Sequence, residues 1–236
     1  MAISSIHFAA GHSGYFDHNS REAETNNAIF KDEKNYCSAN KKEAFELFKK
    51  ELALRTEAYT ERTGQKLQKS TTTHLSAIFN FNKDTTPEQA HKVCDYLEKV
   101  LDTKVIQFAM HRDEGHINSK NESVKNYHAH IEFMGLDSEG NSIRRKLDKK
   151  YLINLQNEVA NILKMERGKN YTQLQEPRPK RLDTYEYKKT KEKESKVLKE
   201  HTKNIKNKFQ SQVNEYVEKT KTEKQILKEE LNKLKE

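Results

Sequence analysis

The sequence predicts an α+β domain, a sheet with helices covering one face, followed by a long charged helix at the C-terminus. Three observations carry this. Strand and helix patterns succeed one another as strand, helix, strand, helix, strand, strand, helix, and the two consecutive strands imply an antiparallel neighbour pair. The segment Glu176-Pro-Arg-Pro179 then stops any regular element, because two prolines this close cannot continue a helix. Beyond it the chain is poor in Gly and Pro and dense in Lys and Glu. We therefore expect a domain over residues 1–175 and a helical extension over 176–236.

The elements justify themselves in order. Ile3 to Ala10 alternates weakly and reads as an opening strand, broken by Gly11-His-Ser-Gly14 into a loop that carries Tyr15 to Arg21 and whose glycines allow close backbone approach to a ligand. Phe45, Phe48, Leu52 and Tyr59 recur at helical spacing, predicting an amphipathic helix over 41–62 that ends near Gly64 and turns this stripe into the core. Thr71 to Phe81, rich in Thr, Ile and Phe, reads as a strand. Thr86-Pro-Glu-Gln89 is a helix start, with Thr86 as N-cap, Pro87 in the first helical position and Gln89 closing a capping box. That helix runs to about Leu101 with Val93, Leu97, Val100 and Leu101 inward. Two strands come next, over 104–111 and 127–134, then a turn at Asp137 to Asn141. Asp148 caps a last domain helix whose inner face is Leu152, Leu155, Val159, Ile162 and Leu163.

Composition bounds the function. Hydrophobic residues make up 33% of the chain against 34% charged, too little apolar surface for one core of 236 residues. No h-region opens the chain and no apolar run approaches the ~18 residues of a membrane span, so we expect a cytoplasmic protein. Cys37 and Cys94 lie far apart without CxxC spacing, which disfavours a zinc ribbon and fits a reducing compartment. The net charge of +8 favours a polyanionic partner such as nucleic acid. From Lys180 to Glu236 there are 17 Lys and Arg against 11 Asp and Glu, a net of +6, so most of the excess lies in the extension. Its basic run, including Lys188 and Lys189, would hold DNA non-specifically. Leu198, Ile205, Phe209, Tyr216, Leu227 and Leu234 fall at steps of seven, four, seven, eleven and seven, an interrupted heptad-like seam. It suits pairing with a second copy, folding back on the domain, or a solvated single helix.

The chemistry concentrates in His111-Arg-Asp-Glu114 and Tyr127-His-Ala-His130. On a strand over 127–134 the side chains alternate, so His128, His130 and Glu132 share one face, with the two imidazoles about 7 Å apart. His111, at the end of the preceding strand, can supply a third nitrogen. Three protein nitrogens leave coordination positions open, which suits catalysis better than structure. The sheet face that carries these histidines is where a nucleic-acid strand could lie.

These motifs, with His18-Asn-Ser-Arg21 and the Asn26–Tyr36 stretch ending in Asn35-Tyr36, resemble the Mob/Pre plasmid mobilisation relaxases of the HUH nuclease superfamily. The resemblance covers roughly residues 1–170. It implies a five-stranded antiparallel sheet with helices, a bound Mn²⁺ or Mg²⁺, and cleavage of one DNA strand at a plasmid origin of transfer through a covalent protein–DNA intermediate. It implies His111, His128 and His130 as metal ligands, Glu114 as a supporting carboxylate and His18 as the nucleophile. Arg21 would clamp a phosphate oxygen, and Arg21 and Tyr36 would contact DNA. The chain departs from the family pattern in one place: thirteen residues, Gly115 to Tyr127, separate Glu114 from the HxH pair where the family has three. They read as a loop, which brings His116 forward as a rival ligand.

Other readings stay open at this level. Tyr15 is the competing nucleophile, as in a rolling-circle replication initiator, and Tyr36 is a weaker third. A non-catalytic origin-binding protein, or a coiled-coil scaffold with an incidental domain, uses the same residues without chemistry. Three imidazoles would also accept Zn²⁺, Ni²⁺ or Co²⁺.

Overall fold

A computed structural model of the chain describes residues 3–118, 120–177 and 184–233. The chain divides into two compact units, Met1–Glu176 and Pro177–Glu236. In the first unit the elements are β1 (Ile3–Ser4), β2 (Ile6–Ala10), α1 (Gly14–Ser20), β3 (Tyr36–Cys37), α2 (Lys41–Thr63), β4 (His74–Asn80), α3 (Pro87–Leu101), β5 (Val105–His111), β6 (Gly115–Ile117), β7 (Ser123–Lys125), β8 (His128–Met134), α4 (Lys149–Leu163) and β9 (Glu166–Arg167). Five strands form one sheet in the order β2-β4-β8-β5-β3, and every neighbouring pair is antiparallel.

Alternation along the strands sorts the side chains. One face carries Leu75, Ala77 and Phe79 of β4, Ala129, Ile131 and Phe133 of β8, and Phe108 and Met110 of β5, all buried. The helices α3 and α4 close this face with Val93, Leu97 and Leu101 from one and Leu155, Val159 and Leu163 from the other. Each such side chain contributes about 1.5–3 kcal/mol on leaving water, offset by the entropy of ordering the chain. The predicted cap of α3 forms on one side: Thr86 accepts from the Gln89 amide at 3.2 Å. The Gln89 side chain reaches instead to the Leu163 carbonyl, 3.3 Å away, and ties α3 to the end of α4. Asp148 caps α4 by accepting from the Tyr151 amide at 2.7 Å.

The opposite face is polar, and there the structure adds what the pattern did not suggest. α1 and α2 pack over one end of it through a small second core of Phe16, Ala44, Ile106 and Met134. Gly11 to Arg21, read as a loop, is largely helical. Its backbone ends at Arg21, which is left-handed (φ 60) and returns its N–H to the Asp17 and His18 carbonyls. The close approach that Gly11 permits is to the protein itself, since a Cβ there would lie 2.4 Å from the His74 ring. The α2 stripe is only partly core: Phe48, Leu52 and Tyr59 are half-buried, and Phe45 is exposed. This helix meets the sheet at β5 and β8, through Ala44 against Ile106 and Met134. The opening strand is split, with β1 leaving the main sheet to pair in parallel with β9.

The thirteen residues between Glu114 and His128 form a β-hairpin, β6 with β7, rather than an irregular loop. The second unit contains one 50-residue helix, α5 (Thr184–Lys233). On it Leu198, Ile205, Phe209, Tyr216 and Leu227 of the seam are all exposed; Leu234, Arg178 and Pro179 lie outside the described residues. Among the described residues, no helix is long and apolar enough to cross a membrane.

Candidate active site

Antiparallel register builds the centre of the site. His111 is the direct partner of His128 across β5 and β8, while His130 sits two residues further along β8 opposite Ala109. All three imidazoles therefore emerge on the polar face, with ring centroids 5.4 Å apart for His111–His128, 5.1 Å for His111–His130 and 5.0 Å for His128–His130. A fourth joins them from α1: the His18 ring stands edge-on to His111 and His130, 5.1 Å from each. α1 is pinned against β5 for this purpose. The buried Asn19 amide donates to Gln107 Oε1 at 3.0 Å, and Gln107 Nε2 donates to the Ala39 carbonyl at 2.8 Å.

The carboxylates arrive from the end of β5. Glu114, 3% exposed, accepts from Arg21 at 2.7 Å on one oxygen and from Asn27 Nδ2 at 2.6 Å on the other. The same oxygens face His18 Nε2 at 3.5 Å and His128 Nε2 at 3.6 Å. Arg21, expected as a phosphate clamp, spends its donors within the protein. Nε and Nη2 hold Asp113 in a bidentate pair at 3.0 and 2.6 Å, and Nη1 caps the end of α1 at the His18 carbonyl, 3.2 Å away. It is thus placed to fix Glu114 and His18 relative to one another.

Burial sets the protonation of the rings. Desolvation holds His111 and His130 far below the ordinary imidazole value, and the neighbouring cationic groups push the same way. His18 is lowered too, by burial first, with the attraction of Glu114 only partly offsetting it. Asp113 is lowered although burial works to raise it, because the Arg21 and Asn35 hydrogen bonds and the Arg21 charge prevail. His18, His111 and His130 are thus neutral donors at neutral pH.

Neutral buried imidazoles ordinarily find hydrogen-bond partners. Here, among the described residues, neither ring nitrogen of His111 or His130 has one. The nitrogens of His18, His111 and His130 lie within 4.8 Å of one another, as do ligand atoms of His111, Asp113 and Glu114. A pair of buried imidazoles with orphaned nitrogens, beside further nitrogen and oxygen donors, fits a divalent ion. His128 is oriented for the same end: its Nδ1 lies 2.8 Å from the Asn126 carbonyl, the pairing that leaves Nε2 to carry the lone pair.

Other expected residues stand elsewhere. His116 is exposed on β6 and outside the cluster, because the hairpin projects it away from the sheet. Tyr15 lies against His12, with ring centroids 3.8 Å apart. Tyr36 pairs with Met110, so it belongs to the opposite face from the histidines and packs beside Phe108 at 5.8 Å. Lys189 is exposed on α5, and the Lys188 side chain lies outside the described residues. His74 bonds the fully buried Glu132 at 2.9 Å between the rings of Phe16 and Phe48. Sequence reasoning missed Asn27, Asp113 and Asn126 as members of the site. Asp113 and Asn27 lay within recognised motifs, and only their partners were unreadable.

No protein-family model matches the chain, and no curated protein matches it in sequence. Solved structures do. A crystal structure of the MobM relaxase domain, of the MOBV or Mob_Pre type, bound to Mn and to a 22-nucleotide plasmid oriT DNA, matches with a TM-score of 0.59 at 15% identity. The match covers 80% of this chain and 100% of that one. A second MobM structure, with a 22-nucleotide oriT DNA and a 3′-thiophosphate, matches with a TM-score of 0.55 at 15% identity over 80% and 99% of the two chains. The chain therefore has the fold of a Mob_Pre-type relaxase domain.

Proposed function

We propose that this protein is a metal-dependent relaxase that nicks one strand of plasmid DNA at an origin of transfer and later transfers or rejoins that strand. The observation that carries the reading is the orphaned pair His111–His130 with His18, Glu114 and His128 gathered round it, on a fold shared with a DNA-bound relaxase domain. His111, His128 and His130 would hold Mn²⁺ or Mg²⁺, which supplies charge to polarise the scissile phosphate and ease departure of the 3′-oxygen.

His18 is the nucleophile in this reading. Its neutral imidazole attacks phosphorus in line with the 3′-oxygen. The N–P bond forms, the P–O3′ bond breaks and the leaving oxygen takes a proton from solvent. The other imidazole nitrogen passes its proton to Glu114, which Arg21 and Asn27 hold in place. The phosphoramidate keeps the energy of the broken bond for rejoining. Lys188 and Lys189, in the basic part of the extension, would add non-specific hold on DNA, and the α5 seam would bring two copies together.

The test is to incubate the chain with Mn²⁺ and supercoiled DNA carrying a candidate origin, comparing wild type, His18→Ala and Tyr15→Phe. Relaxed circles and a protein-linked DNA end that vanish only in His18→Ala are the expected result. Loss only in Tyr15→Phe moves the chemistry to tyrosine, and no nicking or adduct by wild type on a cognate origin leaves a DNA-binding protein in its place.

A further inference from the structure

We infer that in the DNA-free protein His18 is itself a metal ligand, within the set His18, His111 and His130, and that an arriving DNA phosphate exchanges it for His128. The inference rests on the metal-centre reading above and concerns how that centre is regulated. One nitrogen from each of His18, His111 and His130 makes an all-imidazole triangle, within 4.8 Å of one another. His128 stands outside that triangle: its Nε2 faces Glu114 at 3.6 Å.

The two kinds of ring also differ in freedom. His111 and His130 rise from central strands and are 0% and 6% exposed, whereas the His18 side chain is 29% exposed on a seven-residue helix. His18 is the ring that can leave. An imidazole nitrogen whose lone pair is on a metal cannot attack phosphorus, so the resting protein masks its nucleophile. A phosphate oxygen would displace His18, and His128, whose Nε2 here faces Glu114, would supply the third nitrogen. Glu114 then faces His18 alone, the arrangement in which it can take the imidazole proton.

Metal binding without DNA separates the alternatives. The whole chain, stripped with EDTA, is titrated with Co²⁺ alone as wild type, His18→Ala, His128→Ala and His111→Ala, monitoring the visible absorption of the bound ion. The expected result is a loss of affinity of at least about tenfold for His18→Ala and His111→Ala, and a clearly smaller loss for His128→Ala. Modification of His18 by diethyl pyrocarbonate, mapped by mass spectrometry, is expected to slow when Co²⁺ is added to wild type or to His128→Ala. Wild-type affinity in His18→Ala together with strong loss in His128→Ala overturns the inference and leaves the metal centre standing, as does His18 reactivity indifferent to Co²⁺. Failure of wild type to bind Co²⁺ overturns both.

Discussion

Acid should unfold the metal-free protein through two rings. His111 and His130 are buried, lack hydrogen-bond partners among the described residues and resist protonation, whereas in the unfolded chain each takes a proton near pH 6.5. Because the folded-state values are depressed, the unfolded state binds more protons below 6.5, and stability falls as pH falls. Between pH of about 7 and about 5.5 the cost is roughly 1.2 kcal/mol per ring, or roughly 2.5 kcal/mol for the pair. That is a large share of the ~5–15 kcal/mol that stabilises a domain. His18, partly exposed, adds less. The assay is urea unfolding in EDTA at the two pH values, for wild type and for His111→Asn/His130→Asn. The double variant should lose most of the pH dependence, and Mn²⁺ at a hundredfold its Kd should raise wild-type stability by about 2.7 kcal/mol at the higher pH. An equal urea midpoint at both pH values, or an unchanged pH dependence in the double variant, would refute the reasoning.

Three further outcomes test the rest of the site. Arg21→Lys keeps a charge but loses the bidentate hold on Asp113 and the link to Glu114, so single-turnover nicking should slow by about 100-fold with the far-ultraviolet circular dichroism unchanged. Gly115→Ala would set a Cβ 2.4 Å from the Val124 carbonyl and 2.5 Å from the Phe30 ring. We expect it to shift the hairpin base that orients His128, costing about 1–3 kcal/mol in urea unfolding and weakening metal binding measured by calorimetry. Tyr36→Phe removes a hydroxyl from the face opposite the histidines, so nicking rate and fluorescence-anisotropy affinity for a single-stranded oligonucleotide should match wild type.

Much of the fold was legible because its signals are local. A period of two places His128, His130 and Glu132 on one face and Ala129, Ile131 and Phe133 on the other, and the structure keeps that division. Caps at Thr86 and Asp148 mark their helices by chemistry contained in four residues. Where the local signal is weak, reading failed. α1 has no side-chain cap and seven residues, so it passed for a loop. The hairpin β6–β7 has strands of three residues each, too short to show alternation.

The sequence by itself determined which side chains were available to a site: three imidazoles and a carboxylate within twenty residues, and His18 and Arg21 near the N-terminus. Only the tertiary structure decided who faces whom. The register of β5 on β8 set His111 beside His128, and the Asn19–Gln107 bond brought His18 to His111 and His130. Arg21 turned to Asp113 and Glu114, more than ninety positions away, instead of outward to a phosphate. Tyr36 was turned to the far side of the sheet. Periodicity and capping act over a few residues, whereas ligand sets and ion pairs depend on which strands become neighbours, and strand pairing is settled by burial of the whole apolar face at once.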